Sequence, residues 1–306
     1  MTEPIVDQGV FAPVLTPFKA DLAPDAARFV AFCRRLMKEG CNGLVLFGTT
    51  SEANSLSLDE RMALAEAVVE DGIAPGALIV GTGLCAIPDT ARLTRHAVEL
   101  GCAGILMLPP FYYKGMSDEG LFRAYAEVIE RVGDARLNVY LYHIPQVSNV
   151  PLGLDLVGRL IEAFPGTVVG IKDSSGDWDN THALITRFPG FRVFPGSEVL
   201  MLAALREGAA GCITATANIN AGPIRALFDT WDDDTAGDLQ ARVTAVREAL
   251  QTAPLVPGLK RVVARMLDDP DWGRVRPPFV KLDDAATGAL IEKLVAAGFD
   301  LAGKDT

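Results

Sequence analysis

The chain has 306 residues, 49% hydrophobic and 22% charged, which suits two ordinary domains or one large α/β barrel with a sizeable core. Its formal net charge of -11 argues against nucleic acid or an anionic membrane surface as a partner, because both require a basic face. Cys33, Cys41, Cys85, Cys102 and Cys212 have no CxxC spacing and read as reduced core thiols of a cytoplasmic protein, and neither a leader peptide nor an apolar run of membrane-spanning length is visible.

Short apolar runs that read as strands alternate with segments of helical period. In chain order, GVFAPVL around Val10 precedes a helix over 25–39, where Ala27, Phe29, Val30, Phe32, Cys33 and Leu36 recur at three-to-four spacing. GLVLF around Val45 precedes a helix over 58–71, opened by Ser57 and Glu60 at capping-box spacing. LIVGT at Val80 leads to a helix over 89–100, GILML at Leu106 to one over 118–131, and LNVYLY at Val139 to one over 154–164. VVGIK at Gly170 leads to a helix over 181–188, FRVF at Val193 to one over 198–207, and GCIT at Ile213 completes the set. Gly40, Gly101 and Gly208 stand where helix ends favour glycine.

Eight βα units of this size predict a (β/α)8 TIM barrel, and continuous apolar strands suit a sheet buried on both faces. An open doubly wound sheet would show the same alternation; the count of eight favours the barrel. Three further helices, over 223–231, 238–252 and 257–267, a connector over 268–278, and a last helix over 283–297 form a C-terminal helical extension. The predicted division is a barrel carrying the active site over 1–230 and a helical region over 231–306.

In a parallel barrel the active site lies at the C-terminal ends of the strands, so the residues that follow each run are the candidates. Lys172 ends the sixth strand. It reads either as a buried ion-pair partner or as an amine that desolvation keeps neutral enough to attack a carbonyl. Asp173, next along the strand, should face the other way. Tyr142 ends the fifth strand and reads either as a core aromatic or as a proton relay; neighbouring strands about 4.8 Å apart let its head and that of Lys172 reach one small ligand. Gly48-Thr49-Thr50-Ser51-Glu52 follows the second strand and supplies hydroxyls and backbone N–H groups suited to a carboxylate. His143 follows Tyr142 as a possible pocket residue. His96, His143 and His182 are too scattered for a metal site, and no Walker or complete dinucleotide fingerprint occurs, so neither metal nor cofactor is expected.

GTTSE, PPFYY, YHIP, GIKDSSGD, GSE and ITATAN, in this order and spacing, resemble the dihydrodipicolinate synthase / N-acetylneuraminate lyase family of pyruvate-dependent class I aldolases. The opening PVLTPF and the late Arg276-Pro277-Pro278 fit as well, so the likeness spans nearly the whole chain. The resemblance implies that Lys172 forms a Schiff base with pyruvate or another 2-oxo acid, and that Tyr142 relays protons. It implies that Thr49 and Thr50 bind the pyruvyl carboxylate, and that Thr50 links Tyr142 to a tyrosine, matched by Tyr112, that reaches in from a neighbouring subunit. Ile213 matches a position whose backbone lines the pyruvate pocket, and Glu198 matches an acid that contacts a polyol. The implied partners are pyruvate and an aldehyde, in a homo-oligomer, commonly a tetramer.

Departures from the family pattern bear on the substrate. Val147 stands where dihydrodipicolinate synthases carry an arginine for the second substrate's carboxylate, and a valine makes no bidentate contact. Ala215 replaces a sugar-binding serine of the sialic acid lyases. Ser51 and Asn149 replace glycines; Asn tolerates the left-handed region, and the Ser51 hydroxyl is expected near the pocket mouth. The resulting expectation is an aldolase joining or splitting pyruvate and an aldehyde. The alternatives are a 4-hydroxy-tetrahydrodipicolinate synthase, a dehydratase of a 2-keto-3-deoxy sugar acid on the same scaffold, and a catalytically idle ligand-binding barrel.

Overall fold

All eight expected strands form in the computed structural model, which describes residues 7–301. They are β1 (Gly9–Pro13), β2 (Gly43–Leu46), β3 (Leu78–Gly81), β4 (Gly104–Met107), β5 (Val139–His143), β6 (Val168–Asp173), β7 (Arg192–Pro195) and β8 (Gly211–Ile213). The ladder order β7-β6-β5-β4-β3-β2-β1-β8 is parallel throughout. The Ala210 N–H donates to the Val193 carbonyl at 3.0 Å, drawing β8 toward β7 and nearly closing the sheet into a barrel.

Helices α1 (Ala26–Lys38), α2 (Leu58–Glu70), α3 (Ile87–Glu99), α4 (Asp118–Val132), α5 (Pro145–Ser148), α6 (Leu154–Ala163), α7 (Trp178–Arg187) and α8 (Met201–Arg206) surround the barrel, followed by α9 (Ala217–Asp229). The predicted stripe of α1 is buried at Phe29, Val30, Phe32, Cys33 and Leu36, while Ala27, in the first turn, is exposed. Burial of such side chains contributes roughly 1.5–3 kcal/mol each. The capping box at α2 is formed, with Ser57 and Glu60 bonded to each other's backbone N–H.

Three helix starts differ from the periodicity by three residues or more. α7 starts at Trp178 because the Asp177 carboxylate accepts the Asp179 N–H, and α9 starts at Ala217 with a non-helical residue at Asn220, ahead of Pro223. The segment after β7 first makes one 3-10 turn, Glu198–Leu200, before α8. The short α5 was not anticipated; Asn149 ends it at φ 51°, in the left-handed region expected of it.

Inside the barrel, inward side chains stack in layers. Phe194 meets Phe11 and Tyr140 edge-on, with ring centroids 5.5 and 6.0 Å away. A Cβ on Gly170 would lie 2.6 Å from the Tyr140 ring, so β6 has no side chain there. That floor supports the next inward pair, Tyr142 and Lys172.

Beyond the barrel come α10 (Ala236–Leu250), α11 (Leu255–Met266) and α12 (Asp284–Ala296). Val243, Leu259 and Leu290 belong to the same apolar cluster as Val10 and Leu44, so residues 231–306 have no separate core among the described residues. Polar ties reinforce this: Arg276 donates to Glu60, Arg28 to Asp269, and Lys260 is ion-paired with Glu52. Cys33, Cys41, Cys102 and Cys212 are buried as expected, but Cys85 is exposed, because the β3–α3 loop holding it lies on the surface.

Candidate active site

The site is built on the alternation of β5 and β6. Tyr142 and Lys172 are direct partners in the β5–β6 register, and both side chains point into the barrel. The Lys172 Nζ donates to the Tyr142 Oη at 3.4 Å and lies 4.6 Å from the centre of the phenol ring. Both residues are almost fully buried. The neighbours, one residue on, face outward. The Asp173 carboxylate accepts the Ser175 N–H, the Asn180 amide and the Thr181 hydroxyl, so it is committed to the β6–α7 turn.

His143 follows the same alternation. Its Nδ1 accepts the Leu152 backbone N–H at 3.0 Å, which leaves the ring proton on Nε2, and burial holds its pKa below the ordinary value. It therefore lies outside the cavity, contrary to the expectation, and braces the β5–α6 loop.

The β2–α2 turn folds over the barrel mouth. Phe47 and Glu52 adopt φ of 60° and 56°, and these two left-handed residues bracket Gly48–Ser51. The Thr49 Oγ1 lies 3.3 Å from the Tyr142 Oη, so lysine, phenol and threonine hydroxyl form a continuous chain. The link assigned to Thr50 is thus made by Thr49, since adjacent residues in the turn point apart; Thr50 is buried on the cavity wall. The Ser51 hydroxyl is not at the mouth. It accepts the Gly48 N–H at 3.2 Å, and its carbonyl accepts from Thr16, which fixes the turn.

These groups open on a cavity of about 470 Å³, bounded by Tyr142 and Lys172, the Thr49-Thr50 turn, Val147, Ala215 and Arg247. Val147, 57% exposed, forms an apolar edge where the family's arginine would stand. Ala215 leaves the β8 side without a hydroxyl. Glu198 and Ile213 are fully buried and do not line the cavity. The Glu198 carboxylate accepts the Thr214 hydroxyl, and this places it behind the wall, away from any polyol. Tyr112 is 73% exposed and packs edge-on against Tyr113, away from this chain's cavity.

Two features went unnoticed in the sequence. Arg247, on α10, reaches the cavity from the C-terminal helices; a cation on the apolar face of VTAVREAL was the available signal. Lys260, inside the apolar LVPGLKRVV stretch, is fully buried against Glu52. Among the described residues, no group of three or more His, Cys, Asp or Glu could hold a metal ion, and no helix is long and apolar enough to cross a membrane.

Comparison with known proteins agrees with this geometry. The family model described as the dihydrodipicolinate synthetase family matches residues 7–297. An uncharacterized DapA-like lyase of Chloroflexus aurantiacus is 36% identical, over 97% of this chain and 99% of its own length. The crystal structure of dihydrodipicolinate synthase from Agrobacterium tumefaciens superposes with a TM-score of 0.88 at 33% identity, covering 94% of this chain and 99% of that one. YagE, an Escherichia coli K12 prophage protein of the dihydrodipicolinic acid synthase family solved with pyruvate, gives 0.87 at 26% identity, covering 96% and 99%. A barrel of eight parallel strands, an inward lysine–tyrosine pair at its mouth and a match along almost the whole chain lead to one assignment: the protein belongs to the dihydrodipicolinate synthetase family and is a carbon–carbon lyase of the pyruvate-dependent class I aldolase type.

Proposed function

We propose that this enzyme joins or splits a 2-oxo acid at the bond between its C3 and C4, with pyruvate as the keto component and an aldehyde as the other. The observation that carries this reading is the buried Lys172 amine, 3.4 Å from the Tyr142 phenol at the base of an open cavity. Neutral Lys172 attacks the keto carbon, forming a C–N bond and a carbinolamine. Loss of water then gives the protonated imine. The imine draws electrons from C3, so that C3–H loses a proton to form an enamine, which attacks the aldehyde carbon; the reverse sequence cleaves C3–C4. Tyr142 passes the protons these steps need, and its contact with Thr49 gives them an onward path. The Thr49-Thr50 turn supplies hydroxyl and backbone N–H donors for the pyruvyl carboxylate.

The exposed Tyr112 supports a homo-oligomer in which this residue enters a neighbouring subunit, and the buried, unpaired Cys33, Cys41, Cys102 and Cys212 support a reducing, cytoplasmic setting. The test is borohydride reduction in the presence of pyruvate. A stable mass increase mapped to Lys172, and absent from Lys172→Ala, is expected. An unmodified wild-type protein, or equal modification of the variant, overturns the reading. Pyruvate released from a longer 2-oxo acid distinguishes cleavage from dehydration, in which the carbon chain stays intact.

A further inference from the structure

Arg247 is 8% exposed and lines the same cavity as Lys172. Its one side-chain bond among the described residues is from Nη1 to the Thr216 hydroxyl, at 3.1 Å. Its Nε is buried without a partner, and no described carboxylate lies within ion-pair distance. A guanidinium stays charged at any ordinary pH, and burying one without a counter-charge is costly. Nη2 is left without a protein acceptor, and with Nε closed off it is the nitrogen that can donate a charge-assisted hydrogen bond to a carboxylate or phosphate in the cavity. Nη1 is held by Thr216, the residue after the cavity-lining Ala215, so the side chain is already oriented. Gln251, one helical turn further along the chain, lines the cavity beside it and adds a polar group.

We infer that Arg247 binds an acidic group at the far end of the aldehyde partner, so that the substrate is an aldehyde acid even though Val147 offers no charge at the loop. This rests on the Schiff-base reading of Lys172, which fixes the keto end of the substrate and leaves the other end to the remaining walls. The position also explains why α10, outside the eight βα units, is packed against the strand-end segment Glu198–Leu200: it brings a cation into a site whose strand-end loops supply no arginine.

The test compares kcat/KM, with pyruvate as the co-substrate, for succinate semialdehyde, D-glyceraldehyde 3-phosphate and D-glyceraldehyde. Wild type should prefer at least one of the two acids over the neutral aldehyde, and which one identifies carboxylate or phosphate as the ligand. Arg247→Gln should lower the acid-to-neutral ratio about 10- to 100-fold, the range of a charged hydrogen-bonded contact. Arg247→Lys, which keeps the charge on a shorter side chain, should restore part of that ratio. A wild type that favours the neutral aldehyde over both acids, or a ratio unmoved in Arg247→Gln while all rates fall together, overturns the inference and leaves Arg247 as a prop for Thr216. Borohydride trapping of pyruvate on the wild type, without any aldehyde, reports on Lys172 separately, so failure of one reading is distinguishable from failure of the other.

Discussion

Tyr142 and Lys172 stand opposite each other in the β5–β6 ladder, and their polar atoms meet at 3.4 Å. The contact follows from sheet geometry: two inward positions at the same height on adjacent parallel strands hold their side chains within reach. Removing only the phenol oxygen should therefore separate proton transfer from imine formation. Tyr142→Phe is expected to retain the borohydride-trapped adduct and to lower kcat by about 10²–10⁴-fold, the usual range for a lost general acid–base group. Single-turnover kinetics beside trapping check this. Complete loss of the adduct would instead assign the phenol to the attack step itself.

The two threonines of the mouth turn should behave differently. Thr49 meets the Tyr142 oxygen at 3.3 Å, whereas the Thr50 side chain is buried on the wall. Thr49→Val is expected to act mainly on kcat, by roughly tenfold or more for one step of the relay. Thr50→Val should act mainly on KM for pyruvate, through carboxylate binding. Steady-state kinetics at varied pyruvate separate the two, and equal effects on both parameters would remove the distinction.

The architecture was legible because buried parallel strands write themselves as unbroken apolar runs. The Lys172–Tyr142 pair was legible because both residues end such runs. What the order of residues left hidden was rotational. The turn 48–51 is bracketed by two left-handed residues, Phe47 and Glu52, that send Thr49, and not Thr50, toward the phenol. His143 was read as a pocket group from its place at a strand end and Glu198 from the family resemblance, yet alternation turns the first outward and the hydrogen bond from Thr214 holds the second behind the wall. Arg247 and Lys260 come from helices beyond the eight repeats; the sequence marks each only as a cation among apolar helix residues, and what each one meets depends on tertiary packing.

Lys260 makes stability depend on alkaline pH. It is buried between Glu52 and the Phe18 ring, and desolvation outweighs the pull of Glu52, bringing its pKa from 10.5 down to about 8. Between those values the unfolded chain holds a proton that the folded chain has released. This group's contribution to stability therefore grows as pH rises from about 8 toward 10.5, and it is lost as pH falls back through that window. The stability difference between wild type and Lys260→Met, measured by urea unfolding, should widen by roughly 1 kcal/mol per pH unit there. Near neutral pH, Lys260→Met leaves Glu52 buried without its cation and should cost about 3–5 kcal/mol. A difference that does not change with pH would mean that Lys260 titrates alike in both states.

His143 acts at the acid end, through structure and not chemistry. Burial lowers its pKa, and its Nδ1 accepts the Leu152 N–H that fixes the loop after α5. The unfolded histidine takes up a proton as pH falls below about 6.5, while the folded one resists, so stability declines from that point down to the folded pKa. Protonation also converts Nδ1 from acceptor to donor, and the Leu152 N–H then loses its partner inside the protein. His143→Phe should cost about 1–3 kcal/mol at pH 7.5, the penalty for an unsatisfied buried amide, and should flatten the loss of stability between pH 6.5 and 5. Thermal melts of both proteins across that range, with kcat/KM taken at each pH, provide the check. A catalytic histidine would instead lose activity at pH 7.5 out of proportion to the fall in melting temperature, whereas the Leu152 contact requires the two to decline together.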